Sequence, residues 1–523
     1  MSGLGKGITT SSVAKLIRLS GLTVTCIKID PYLNVDAGTM NPVTHGEVFV
    51  TDDGGETDMD IGTYERFLDQ HLNISHNITT GQVYQKVIEG ERQGQFLGNC
   101  VQIIPHITNE IRNRICFAAE KSMSHVVLIE CGGTVGDIES LPFLEAMRQM
   151  KLQLGSQNAL FMHVTMAPEL DTVGEQKTKP TQHSVQELRR IGIQPDILIV
   201  RSIRPLTKPS KEKISLFASI DQDSVISNTD AESIYQVPEI LESQKIVRTI
   251  ANKLQLGDLK VKWGEWPQIA ESFVKTSKSV KIAMVGKYTS LADSYVSINH
   301  SLSHAGAKLG ATVKVKWINS EIFEAKPERL QDLENYNGVL IPGGFGKRGI
   351  EGKIIAADLA RRKKIPFLGL CLGFQLAIIS LARHVCNLKD SNSTEFNPKT
   401  KYPVIDLLPE QKKVKNMGAT MRLGGHDISI IPDTGAYNLY GKPLIRARHR
   451  HRYEFNQLYQ NDFKLKNIIF SGNSDSGKRM EILELPNHPF FFATQFHPEF
   501  TCRPGFPNPI FLEFIRKCLE DNR

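Results

Sequence analysis

Ile365-Pro366-Phe367-Leu368-Gly369-Leu370-Cys371-Leu372-Gly373 runs from an apolar stretch into a cysteine framed by glycines two residues away on either side. Four apolar residues followed by G-x-C-x-G predict a buried strand that turns sharply into a helix. The glycines allow the strained elbow that pushes a sulfur into a cleft. Near the C-terminus, His497-Pro498-Glu499 supplies a histidine to take the thiol proton. Glu499 is two residues further, on the same side of an extended segment, to hold the imidazole's tautomer. A lone cysteine in an apolar stretch is usually a small buried hydrophobe. The glycine frame and the downstream H-x-E instead point to acyl-thioester chemistry.

Working outward, short apolar runs alternate with polar helical stretches along the whole chain. In the first half these runs are 22–29, 126–129, 159–164 and 197–200, and in the second 280–286, 313–315 and 338–341. Runs of this length flanked by helices read as parallel strands buried on both faces. The segments 427–431, 480–485 and 490–494 add β-rich signals towards the end. Residues 257–279, polar and carrying Trp263 and Trp266, read as a linker between an N-terminal domain over 1–256 and a C-terminal domain over 280–523. The expected fold is α/β, with a P-loop-like parallel-sheet domain followed by a second α/β domain.

At 523 residues the chain is too long for one core. Charged residues at 23% and hydrophobic ones at 40% mark an ordinary globular composition. The net charge of +7 is spread along the chain, with no basic stripe interleaved with aromatics, so nucleic acid is not an expected partner. Small basic groups, Lys177-Thr178-Lys179 and the run 446–452, suggest pockets for phosphate or carboxylate ligands. Eight cysteines without C-x-x-C spacing argue against zinc and a disulfide framework. No stretch has the length and apolarity of a membrane span and the N-terminus carries no signal-peptide pattern, so cytoplasm is the expected compartment.

Two further features of the first half carry chemistry. Ser2-Gly3-Leu4-Gly5-Lys6-Gly7 precedes a helical stretch, and glycine amides at a helix N-terminus plus one lysine make a phosphate cradle, although the Ser/Thr that usually follows the lysine is missing. Asp58 and Asp60 lie on one side of an extended stretch, and Glu130 ends the strand 126–129 just before Gly132-Gly133-Thr134. A carboxylate at the carboxyl end of a parallel strand sits where such sheets bind ligands. Asp60 and Glu130 could hold a magnesium ion bridging phosphates, whereas Asp58 reads as a solvated acid. In the second half, Pro342-Gly343-Gly344-Phe345-Gly346 is a turn whose amides can face a developing oxyanion.

The elbow, the glycine-rich turn and the H-x-E motif resemble the class I triad glutamine amidotransferases. That resemblance implies Cys371 as nucleophile, His497 as acid–base and Glu499 as its orienting partner. Gly344 and the Leu372 amide would form the oxyanion hole, with Gln375 and Glu395 contacting glutamine. Lys28-Ile29-Asp30-Pro31-Tyr32-Leu33-Asn34, His45-Gly46-Glu47-Val48-Phe49-Val50, Tyr64-Glu65-Arg66-Phe67, the runs 132–140 and 176–182, and Arg448-His449-Arg450-His451-Arg452-Tyr453-Glu454 are similar to the CTP synthase family over nearly the whole chain. The resemblance implies amination of UTP to CTP through a 4-phosphorylated intermediate, with ATP, glutamine and Mg2+. Gly3, Leu4, Gly5, Lys6, Gly7, Lys28 and Asp60 would serve ATP. Lys177, Thr178, Lys179, Gln182 and Lys213 would hold the pyrimidine nucleotide, and Asp137, Ile138 and Glu139 the region where the product CTP competes. Arg348 matches the region of the GTP effector, and Arg452 is the candidate for glutamine's carboxylate. Homotetramers, and in some members filaments, are the implied assemblies. The family pattern also has a strand and a glycine-rich turn ahead of Ser2, so a longer chain is the expected working enzyme. Two alternatives stand beside this reading: a glutamine-dependent amidase with another acceptor, and a truncated, synthesis-deficient regulatory or filament-forming member.

Overall fold

The computed structural model describes residues 3–169, 175–287, 292–407 and 421–521, so Ser2 lies outside the described residues. The chain forms two compact units, Met1–Asp36 with Asp60–Val274, and Ala37–Met59 with Lys275–Arg523. Residues 37–59 therefore cluster with the second unit, although in sequence they lie inside the first.

The first unit has two three-stranded parallel sheets rather than one continuous sheet. One is ordered Asn77–Thr79, Val24–Asp30, Val126–Cys131, and the other Met162–Met166, Ile197–Ser202, Val225–Thr229. The inner strands follow the expected rule, with every residue of Val24–Asp30 buried. Val126–Cys131 and Met162–Met166 are edge strands, and in each a single residue is buried while the rest are half-buried. The helix Lys6–Leu19 packs against Val24–Asp30 and Val126–Cys131, placing its N-terminus beside the loop that follows the latter strand. The stretch expected as a linker contains the helix Trp266–Ser272. Its Trp266 is buried against Phe67 and Tyr235 and donates its indole N–H to the Tyr235 carbonyl at 3.1 Å. A buried indole with a satisfied N–H is core, not connector.

The second unit is built on a nine-stranded sheet. Its order is Ala311–Asn319, Lys278–Gly286, Gly338–Ile341, Phe367–Leu370, Phe491–Thr494, Arg479–Glu484, Ile469–Ser474, Arg422–Ile430, Leu444–His451. The first five pair in parallel and the remainder antiparallel. Helices Ile350–Arg362 and Leu372–His384 share an aliphatic core with one face of the parallel part, while Val296–Leu309 and Pro509–Glu520 cover the other. Because Leu370 is in register with Thr494, the chain after each of these strands emerges at the same carboxyl edge. Open α/β sheets place ligands at that edge.

Candidate active site

Cys371 follows Phe367–Leu370 directly and adopts φ 51°, ψ −98°, outside the regions a residue with a Cβ prefers. The elbow needs its glycines for close approach: a Cβ on Gly373 would collide with the Ile341 carbonyl oxygen of the neighbouring strand. The turn buries the cysteine, and its sulfur lies 3.6 Å from the Arg450 carbonyl oxygen and 3.8 Å from Gln495 Nε2. Leu372 opens the following helix, so its amide is among those with no intrahelical acceptor.

His497 follows the strand in register with the cysteine's own. Its Nδ1 is 2.7 Å from Glu499 Oε1, its ring stacks on Phe500 at 4.9 Å, and its Nε2 is buried without a hydrogen-bond partner among the described residues. Burial alone would depress the imidazole's pKa. The Glu499 carboxylate and the nearby Cys371 sulfur outweigh it and raise the group from 6.5 to about 10. That favours an imidazolium poised beside a sulfur at neutral pH. The glycine-rich turn closes over this pair, since a Cβ on Gly343 would lie 3.2 Å from His497 Cε1 and 3.6 Å from Cys371 Cβ. Lys287 pins the turn by donating to the carbonyls of Phe345 and, at 2.8 Å, Gly346, and Glu395 accepts the Gly346 N–H at 2.9 Å. Burial lowers the Lys287 ammonium to about 8 and raises the Glu395 carboxyl, whose shift the Gly346 amide and Lys287 oppose.

The structure thus gathers Cys371, Leu372, His497, Glu499, Gly344 and Glu395 at one edge. Gln375 is buried beside them and donates to the Tyr453 carbonyl at 2.8 Å and to Gln495 Oε1 at 3.2 Å. Glu395 reaches the turn through the Gly346 N–H, and the charges of Glu395 and Arg452 are both felt at the Tyr453 hydroxyl. Arg348 is half-exposed, donating to the Lys287 carbonyl at 3.0 Å and lying 3.8 Å from Glu321. Sequence reasoning did not single out Lys287 or Gln495, and it named Gly343 and Arg450 only as members of the glycine-rich turn and the arginine run. Only Gln495 left a signal, sharing the period-two face of His497 and Glu499.

The arginine run was expected to make a ligand pocket. On Leu444–His451 its alternate members instead grip residues 37–59: Arg446 pairs with Asp52 at 2.9 Å, Arg448 donates to the Val50 carbonyl at 3.0 Å, and Arg450 pairs with Glu56 at 2.8 Å. On the opposite face, His449 and His451 are fully buried, 3.1 Å apart between ring nitrogens, and burial holds both well below the ordinary histidine pKa. Asp58, expected to be solvated, is buried and lies 3.9 Å from His45.

In the first unit the loop of Gly3, Leu4 and Gly5 leads into the helix Lys6–Leu19, whose first turn holds Lys6 and Gly7, and Lys6 donates to the Gly133 carbonyl at 2.8 Å, in the turn that follows Val126–Cys131. A Cβ on Gly7 would strike the Asp60 carboxylate. Lys28 contacts Asp60 directly and lies 3.3 Å from Glu130 and 3.8 Å from Asp30, while Tyr64 donates to the second Glu130 oxygen. Asp60 and Glu130, which with Asp30 surround the Lys28 ammonium beside a phosphate-type loop, suit magnesium, which takes one or two protein carboxylates plus phosphate oxygens. Among the described residues no group of three or more His, Cys, Asp and Glu side chains is placed to hold a metal.

Asp137 accepts the Thr134 N–H at 2.9 Å, while Ile138 and Glu139 are exposed on the same loop. Lys177 pairs with Glu175 at 2.8 Å, and Lys213 acts on the same carboxylate. Lys179 sits over Phe217, 5.4 Å from its ring centre, at the start of the helix Lys179–Arg190. Gln182 donates to the Thr178 hydroxyl at 3.0 Å, while its own amide oxygen is buried with no hydrogen-bond partner among the described residues. Among the described residues no helix is long and apolar enough to cross a membrane.

The model of the CTP synthase N-terminus matches residues 1–256, and that of the class-I glutamine amidotransferases matches residues 290–517. A CTP synthase of Carboxydothermus hydrogenoformans is 52% identical over 523 residues, covering 100% of this chain and 98% of the relative. A CTP synthase of Thermococcus gammatolerans is also 52% identical, covering 99% and 97%. A solved structure of the Trypanosoma brucei CTPS glutaminase domain with bound acivicin is 35% identical, covers 47% of this chain and 95% of that one, and superposes with a TM-score of 0.44. With such identity sustained across its length, the chain belongs to the CTP synthase family and is a glutamine-hydrolysing carbon–nitrogen ligase.

Proposed function

We propose that this chain forms CTP from UTP in two coupled reactions. In the first, the Cys371 sulfur attacks the side-chain amide carbon of glutamine. Gly344 and Leu372 amides receive the oxyanion, and His497 hands its proton to the departing nitrogen, releasing ammonia. Water, giving a proton back to His497, then cleaves the glutamyl thioester to glutamate. Arg452, Gln375 and Glu395 orient the amino acid.

In the second, ATP phosphorylates the 4-oxygen of the uracil ring, converting a poor leaving group into a good one, and ammonia displaces phosphate at that carbon. The amides of Gly3 to Gly7 with Lys6 and Lys28 bind the ATP phosphates. Asp60 and Glu130 would hold Mg2+, which neutralises charge on the phosphate oxygens. Lys177, Thr178, Lys179, Gln182 and Lys213 bind the UTP triphosphate, and CTP competes through Asp137, Ile138 and Glu139. GTP acts as an activator at the Arg348 region. The working form is a cytoplasmic homotetramer, able to stack into filaments.

The observation that carries this reading is the pairing of His497 with Glu499 at 2.7 Å behind a strained Cys371 elbow. The relatives at 52% identity support the choice of acceptor. The test is CTP formation from UTP, ATP and Mg2+ with either glutamine or ammonium chloride. Cys371→Ser should abolish the glutamine-dependent reaction and spare the ammonia-dependent one. Asp60→Asn should suppress CTP formation from both while glutamine hydrolysis persists. Glutamine-dependent CTP formation by Cys371→Ser would overturn the proposal.

A further inference from the structure

Residues 37–59 bring Glu56 into the second unit, where it is almost fully buried on the two-residue strand Glu56–Thr57. Its Oε1 accepts from Arg450 Nε at 2.8 Å, and Arg450 Nη2 donates to the Gly38 carbonyl at 2.9 Å. Gly38 leaves room for this carboxylate, since a Cβ there would force Glu56 to move. Held by these two contacts, the Arg450 guanidinium stands over the Phe345 ring, 5.0 Å from its centre. Phe345 belongs to the turn that Lys287 pins from the other side. The backbone of Arg450 faces the reacting atom itself, its carbonyl oxygen 3.6 Å from Cys371 Sγ. One residue thus touches the oxyanion turn with its side chain and the nucleophile with its main chain.

We propose that Glu56 is a positioning residue for glutamine hydrolysis: it acts through Arg450 to set the Phe345 turn and the Cys371 sulfur in working register. The inference rests on the glutaminase reading above. A carboxylate is suited to the task because a charge-assisted bond to a guanidinium fixes both direction and distance, and because breaking a buried pair leaves an arginine with no charge partner. Misplacement of about 1 Å at a reacting centre can cost about 10^2-fold in rate.

The experiment compares Glu56→Gln, Arg450→Gln and the double variant in the full-length protein. Glutamine hydrolysis, glutamine-dependent CTP formation and ammonia-dependent CTP formation are each resolved into kcat and KM, with a thermal melt for every variant. Glu56→Gln should lower kcat for glutamine hydrolysis about 10- to 100-fold while changing the KM for glutamine less than threefold, with ammonia-dependent CTP formation retained. The double variant should be no slower than the worse single one, as expected for residues acting as a unit. Three results would overturn the proposal: wild-type hydrolysis by Glu56→Gln, additive losses in the double variant, or a parallel fall in the ammonia reaction that tracks the melting temperature. If ammonia-dependent CTP formation is absent from the parent protein, the function proposed above fails instead.

Discussion

Glu499→Gln isolates the electrostatics of the candidate triad, because it keeps the shape of the side chain and removes its charge. Burial pulls the His497 pKa down, while the Glu499 charge, the largest single contribution upward, and the Cys371 sulfur raise it to about 10. The net rise from 6.5 favours the imidazolium in the folded protein by on the order of 5 kcal/mol, at about 1.4 kcal/mol for each tenfold. Without Glu499 the burial penalty remains and only the Cys371 sulfur opposes it, so the pKa should fall back towards or below 6.5. At pH 7.5 His497 then passes from mostly charged to mostly neutral, and the sulfur loses the imidazolium beside it. The full value sets a ceiling of roughly 3000-fold on the loss, and about 10^2-fold is expected once solvent and rearrangement share the charge. The sign for stability follows from the raised value: this group's contribution is present below pH 6.5 and is lost as pH rises through about 10. Glutamate release should be measured from pH 6 to 10 beside the rate of Cys371 alkylation. Hydrolysis within threefold of the parent, with an unchanged alkylation profile, would refute the reasoning.

Two further outcomes are expected. Gly343→Ala places a methyl group 3.2 Å from His497 Cε1 and 3.6 Å from Cys371 Cβ, so glutamine hydrolysis should fall tenfold or more while ammonia-dependent CTP formation is unchanged; separate steady-state assays decide it. Lys353 is fully buried, its ammonium has no hydrogen-bond partner among the described residues, and burial with Lys287 and Arg348 nearby lowers it to about 7. Carrying that charge in the core opposes folding fully below pH 7 and fades between pH 7 and 10.5. Lys353→Met should therefore stabilise the protein by several kcal/mol at pH 6, up to about 5, and by little at pH 10, as denaturant unfolding at the two pH values will test; a gain independent of pH would contradict it.

The features legible in the sequence were the local ones. The strand Gly338–Ile341 was readable to the residue, and the H-x-E spacing places His497 against Glu499, because strand periodicity and short motifs are encoded within a few residues. Long-range pairing was not readable. The arginine run reads as a ligand pocket in sequence because its partners Asp52, Val50 and Glu56 lie nearly 400 positions away. Asp58 reads as a solvated acid in sequence but is buried. The division of the first unit into two sheets was equally hidden, since half-buried Val126–Cys131 and fully buried Val24–Asp30 are alike in sequence.

The height of the His497 pKa also bears on what leaves the site. An amide nitrogen departs only with a proton, and a charged His497 provides it. The nitrogen can therefore leave as neutral ammonia, the only protonation state with a lone pair to attack a ring carbon. Water is then the next acid within reach of the neutral imidazole, and its deprotonation supplies the nucleophile for the thioester. On the proposed reading, Glu499 thus serves both steps: it favours the charged imidazole that gives the departing nitrogen its proton, and it holds the neutral imidazole in place as the base that activates water.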